Sequence, residues 1–130
     1  MHASATFDVC DWHEELYEKL GGDARLARAH VKQSFQGDIE GDGTAEYLLM
    51  YREQHSSNFV GMQYVVGRLA GREGSFVLEL NGTFDGATLE ADWFVVPGSA
   101  MGRLRGLQGE GGFAAPLGKT ASVDLDYEFE

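Results

Sequence analysis

Apolar and polar residues alternate from Phe59 to Val96, and two turn signals, Gly71-Arg72 and Asp85-Gly86, cut this run into three strands. A two-residue turn at each place fixes an expected register, with Gln63 opposite Leu80, Val65 opposite Leu78 and Leu78 opposite Trp93. Cross-strand partners share a face. One face then carries Phe59, Val65, Leu69, Phe76, Leu78, Leu80, Phe84, Leu89, Trp93 and Val95, with Gln63 as its one polar member. The other carries Arg68, Glu79, Asn81, Glu90 and Asp92, together with one apolar row expected from Val66, Val77 and Phe94. Gly61, Gly67 and Gly82 fall among the large rings of the first face, which suits a tightly curved sheet. The pattern predicts an all-β fold, an antiparallel barrel of eight strands with at most a short helical segment.

The remaining segments supply the other strands. Ala5–Val9 alternates. Trp12–Leu20 (WHEELYEKL) has apolar residues at helical spacing, but Gly21-Gly22 reads as a hairpin turn, which tips the segment towards strand. Arg25–Phe35 alternates, with Ala27, Ala29, Val31 and Phe35 on one side. Gly37–Gly43 reads as a polar turn region. Thr44–Arg52 is a strand with Tyr47, Leu49 and Tyr51 inward, if Tyr51 faces Phe59 across a turn at Gln54–Ser57. Pro97–Gly112 reads as irregular, with Met101–Leu107 a short helix or helical turn closing one end. Phe113–Ala115 and Ser122–Phe129 complete the strands. Residues 1–130 form one expected domain.

Composition narrows the function classes. A formal charge of -11 repels phosphate backbones and anionic lipid, so neither nucleic acid nor membrane is an expected partner. One cysteine, Cys10, rules out an internal disulfide framework. The N-terminus lacks a signal-like apolar run, and the expectation is a soluble cytoplasmic protein. No Cys/His cluster has zinc spacing. Asp38, Glu40, Asp42 and Gly43 match the first half of a calcium loop, but Leu49 stands where its glutamate belongs. No metal and no cofactor is therefore expected.

The runs GRLAGREGSFVLELNGTFDG, ADWFVVPGSAMGRLRGLQGEGGF and SFQGDIEGDGTAEYL resemble an uncharacterised bacterial family of unknown function with an allene oxide cyclase-like, calycin-like barrel. The resemblance covers nearly the whole chain. It implies an eight-stranded antiparallel barrel, often oligomeric, and supplies no activity. By this resemblance, relatives often place an acid where this chain has Gln63 and a histidine where it has Leu80, so that acid–histidine pair is missing here. The barrel cyclases of similar outline work without cofactors, by folding a reactive substrate.

Two functional readings follow. In the first, the barrel either binds an apolar small molecule or acts on one as a cofactor-free isomerase or cyclase. Phe76, Leu80 and Trp93 shape its pocket, and Tyr47, Tyr51 and Gln63 orient the ligand. In the second, the barrel is filled and the protein is a non-catalytic structural or interaction protein. His30, flanked by Arg28 and Lys32, is a weak acid–base candidate compared with an exposed role. The row Val66, Val77 and Phe94 points to a homo-oligomer, most simply a dimer, unless the Trp12 segment covers it.

Overall fold

The computed structural model describes residues 1–52, 55–116 and 118–130. Among these lie nine strands and no α-helix: β1 (His2–Gly21), β2 (Ala24–Gly37), β3 (Ile39–Tyr51), β4 (Ser57–Leu69), β5 (Arg72–Phe84), β6 (Thr88–Val95), β7 (Met101–Gly102), β8 (Leu107–Pro116) and β9 (Ala121–Phe129). Every pairing is antiparallel. The sheet runs β4-β3-β2-β1-β9-β8-β6-β5, and β4 also pairs with β5, which closes eight strands into a ring; β7 adds to the lower part of β5. The eight-stranded antiparallel expectation holds. Among the described residues no helix is long and apolar enough to cross a membrane.

The period-two pattern decides which side is inside. Along β4, Phe59, Gln63, Val65 and Leu69 are buried while Val60, Met62, Tyr64 and Val66 are exposed. The same parity fills the interior from every other strand of the ring. Rings meet edge-on or tilted across it: Phe7 lies 5.2 Å from Phe35 and 5.1 Å from Phe113, and Trp93 lies 5.3 Å from Phe113. These rings are buried, so much of the barrel is solid.

Three expected registers are each two residues out. The first turn is Ala70-Gly71, with Leu69 opposite Arg72 and both turn residues at positive φ (50° and 84°). The second is longer than a two-residue turn: Phe84 faces Leu89, and the Asp85 carboxylate accepts hydrogen bonds from the Ala87 and Thr88 amides at 2.8 Å. In the third, Leu49 faces Phe59 and Tyr51 faces Ser57. Gln54, at the start of that expected turn, lies outside the described residues. A two-residue slip leaves every side chain on its face but changes its partner. Gln63 therefore faces Leu78 and Ala45, not Leu80, and Trp93 faces Leu80 and Gly111. Val66, Val77 and Phe94 do not form one row: they face Ser75, Tyr64 and Glu79.

Glycine-rich stretches expected as loops are strand. After the bend at Asp38, β3 begins at Ile39, and Gly41 faces Gly67 at φ of 144° and 157°. A Cβ at Gly67 would sit 2.0 Å from the Glu40 carbonyl oxygen, so only glycine lets β3 and β4 cross this closely. Gln108–Gly112 likewise belongs to β8. Met101–Leu107 forms no helix, but it does close one end: β7 runs into tight turns with the bonds Leu104 N–H to Met101 O, Arg105 N–H to Gly102 O and Leu107 N–H to Leu104 O.

The ends differ. The lower end holds the β2–β3 and β4–β5 turns and the chain from Val96 to Gly106. Leu104 and Ile39 are fully buried there, beside Leu69 and Leu107. At the upper end β1 pairs with β9 only from His2 to Phe7, then continues to Gly21 along β2 alone. Strand tilt causes this. The row that starts at Ala5 runs through Val123, Phe113, Ala91, Gly82, Phe59, Leu49 and Ala27 and returns to β1 at Leu16. The upper half of β1 thus overshoots the ring and leaves its inward side uncovered.

Candidate functional site

That uncovered side forms the mouth of the barrel. A bulge between Val9 and Asp11 resets the alternation, so Trp12, Glu14 and Leu16 face inward over Val31, Ala29 and Ala27. Their cross-strand partners are buried, yet Trp12 is 40% exposed and Leu16 49%. The Trp12 ring lies 6.0 Å from Tyr47. The Glu14 carboxylate oxygen Oε1 accepts hydrogen bonds from Trp12 Nε1–H at 3.0 Å and the Tyr51 hydroxyl at 2.9 Å. The Arg25 guanidinium sits 4.1 Å above the Tyr51 ring. Burial, then the bond and charge of Glu14, hold the Tyr51 phenol proton well above its ordinary pKa, against the opposing charge of Arg25.

A polar chain descends from the mouth into the interior. Gln33 Nε2–H donates to the Tyr47 hydroxyl at 3.1 Å, and Gln63 Nε2–H donates to Gln33 Oε1 at 3.0 Å. All three side chains are buried. Gly43 makes the space, since a Cβ there would meet Phe35 Cε1 at 2.7 Å and Gln33 Oε1 at 2.9 Å. Gln63 Oε1 at the end of the chain has no partner among the described residues. Burial raises the Tyr47 pKa to about 12, with the Gln33 bond acting the other way. At neutral pH Tyr47 is a neutral hydrogen-bonding phenol, while Glu14 bonds Trp12 and Tyr51.

The expected site residues divide between these zones. Tyr47 and Tyr51 stand at the mouth. Gln63 ends the buried chain and does not face Tyr47, whose strand neighbours are Gly61 and Ala29. Phe76, Leu80 and Trp93 are core, and Trp93 Nε1–H donates to the Asp124 carbonyl at 3.3 Å. Trp12, Glu14 and Gln33 were not expected at a site. Gln33 was within reach of the alternation Ala27, Ala29, Val31, Phe35, which places it inward; Glu14 was not, because the β1 bulge is invisible in the sequence. His30 lies on the outer face, bonded to Glu46. Asp38 accepts a bond from the Ser4 amide at 2.9 Å, while Glu40 and Asp42 lie exposed along β3.

A family model for DUF3224, proteins of unknown function, matches residues 3–127. The chain belongs to this family. Its fold is similar to the crystal structure of a protein of unknown function from the DUF3224 family of Shewanella oneidensis MR-1. The two are 30% identical with a TM-score of 0.83, and the match covers 100% of this chain and 98% of the other. No curated protein matches. The DUF3224 assignment thus supports the all-β architecture and carries no reaction with it.

Proposed function

We propose that the protein binds a small, largely apolar molecule at the barrel mouth, against Trp12 and Leu16, with one polar group directed at Glu14, Tyr51 and Tyr47. One observation carries this reading: inward-facing apolar side chains of β1 remain half exposed directly beside buried core. The deeper pocket of Phe76, Leu80 and Trp93 is less favoured, because those side chains pack into the core. Turnover as a cofactor-free isomerase or cyclase would draw on Glu14 as the base and Tyr47 as the neutral donor. Likeness to allene oxide cyclase barrels is fold-level analogy and adds no residue to this set.

The solid interior favours the alternative, a non-catalytic structural protein, and one experiment separates the two. Trp93→Phe leaves Trp12 as the single tryptophan. Titration with the neutral apolar probe Nile red should then quench Trp12 emission. Leu16→Ser and Trp12→Ala should each weaken probe binding about tenfold, the loss expected when one apolar side chain no longer packs on a ligand. Equal binding by wild type and both variants, or none by wild type, would reject the mouth.

A further inference from the structure

The outer wall opposite in character to the mouth carries an unusual row. Four successive outward positions of β4 are apolar and about half exposed: Val60 51%, Met62 52%, Tyr64 48% and Val66 46%. Across the strands the row through Met62 reads Glu46, Met62, Glu79, Phe94, Glu110, Asp126. From Glu46 to Glu110 carboxylates and large apolar side chains alternate, so the acids flanking Met62 and Phe94 stand about 10 Å apart, two strand spacings. Glu46 is paired with His30 and Asp126 with His2, but among the described residues Glu79 and Glu110 have no basic side chain at ion-pair distance. Beside the row lie two open grooves. One, of 790 Å³, is lined by Phe94, Glu110 and Asp126; the other, of 880 Å³, by Tyr64, Val66 and Met101. Trp12 packs on the inner side and covers none of this.

From this we infer that the outer face of β4–β6 docks a protein segment whose apolar side chains are bordered by lysine or arginine. Met62 and Phe94 supply contact area; Glu79 and Glu110 supply charge complementarity and select against acidic partners. A second copy fits poorly. Face-to-face packing of two such walls would bring unpaired carboxylates together on chains that each carry a formal charge of -11. For this face we therefore favour a basic partner over the homodimer expected from Val66, Val77 and Phe94.

The probe is a fluorescein-labelled amphipathic helix of leucine and lysine, its leucine stripe bordered by lysine, with a glutamate-for-lysine version as control. The lysine peptide should bind the full chain and the control should not. Glu79→Gln with Glu110→Gln should weaken binding at least tenfold, and so should Met62→Ser with Phe94→Ser. Glu15→Gln with Glu18→Gln removes equal charge from β1 and should leave binding within about twofold, which excludes diffuse attraction to an acidic surface. Equal loss from both charge pairs would overturn the proposal. So would a wild-type dimer at micromolar concentration that Phe94→Ser converts to monomer, since the face would then belong to a second copy.

Discussion

The two ends of this barrel use the same strands and reach opposite states. At the lower end, the Val96–Gly106 connection folds under the ring and buries Leu104 completely. At the upper end, β1 climbs past its pairing with β9 and exposes Trp12 and Leu16 on their inward side. Side-chain chemistry does not separate the ends, since both present Leu and aromatic residues inward. Strand tilt does: it gives β1 more length than its neighbour can cover. An apolar residue is core only where a second element covers it, and over the upper half of β1 none covers Trp12 and Leu16.

The largest test compares the two tryptophans. Trp93→Ala empties a site walled by Phe113 and Leu80 and should cost about 3–5 kcal/mol of unfolding free energy. Trp12→Ala should cost under about 1 kcal/mol, because its ring is already half in water. Urea denaturation of both variants measures the difference. Equal losses would mean that the mouth is as structural as the core.

Gly43→Ala sharpens the comparison inside the barrel. The new methyl meets Phe35 Cε1 and Gln33 Oε1 and must push Gln33 off Gln63. A loss of about 2 kcal/mol is expected, typical of overpacking in a full core. A neutral result would show unfilled space beside the polar chain, and would revive the deep pocket.

The sequence carried the faces of the sheet and missed its contacts, for a reason that these residues make plain. Face parity survives a slip of two residues, so Phe59, Gln63, Phe76, Leu80 and Trp93 were correctly turned inward. Partners do not survive it. Ala70 adopts a left-handed conformation that alanine rarely takes, so the rule that puts glycine first moved the turn by one position and the register by two. At Asp85 a side-chain acceptor, not a two-residue glycine turn, closes the hairpin. The glycines of β3 and β8 read as loop because glycine usually breaks strands; here they permit backbones to cross. The mouth escaped because it depends on a bulge and on barrel tilt, and neither leaves a mark on residue pattern.

A third test uses alkali. The folded Tyr47 pKa lies above its ordinary value of 10.0, at about 12, so folding favours the protonated phenol. Its contribution is complete below pH 10 and is lost as pH rises towards 12. Through Tyr47 stability should fall by about 2 kcal/mol over that range, and Tyr47→Phe should remove this part while leaving the part due to Tyr51. Absorbance near 295 nm should show phenolate from Tyr47 appearing together with unfolding. A Tyr47 that ionises near pH 10 in the folded protein would mean that water reaches the polar chain from the mouth.

The smallest effect is expected at the upper rim, in the β5–β6 connection. The Thr88 and Ala87 amides hold the Asp85 carboxyl below its ordinary value of 3.8. A depressed carboxyl contributes stability above that ordinary value and loses it as pH falls through the folded one. The group is exposed, so the change should be local. In acid, the protection of the Ala87 and Thr88 amides against exchange, measured relative to their intrinsic rate at each pH, should fall while the melting temperature changes little beyond the general acid trend. Asp85→Asn keeps the acceptor without the charge and should make the protection of those two amides nearly independent of pH over the same range. If Asp85→Asn instead lowered the melting temperature by several degrees, the rim would be holding the ring closed. The contrast between a sealed lower end and a merely decorated upper one would then fail.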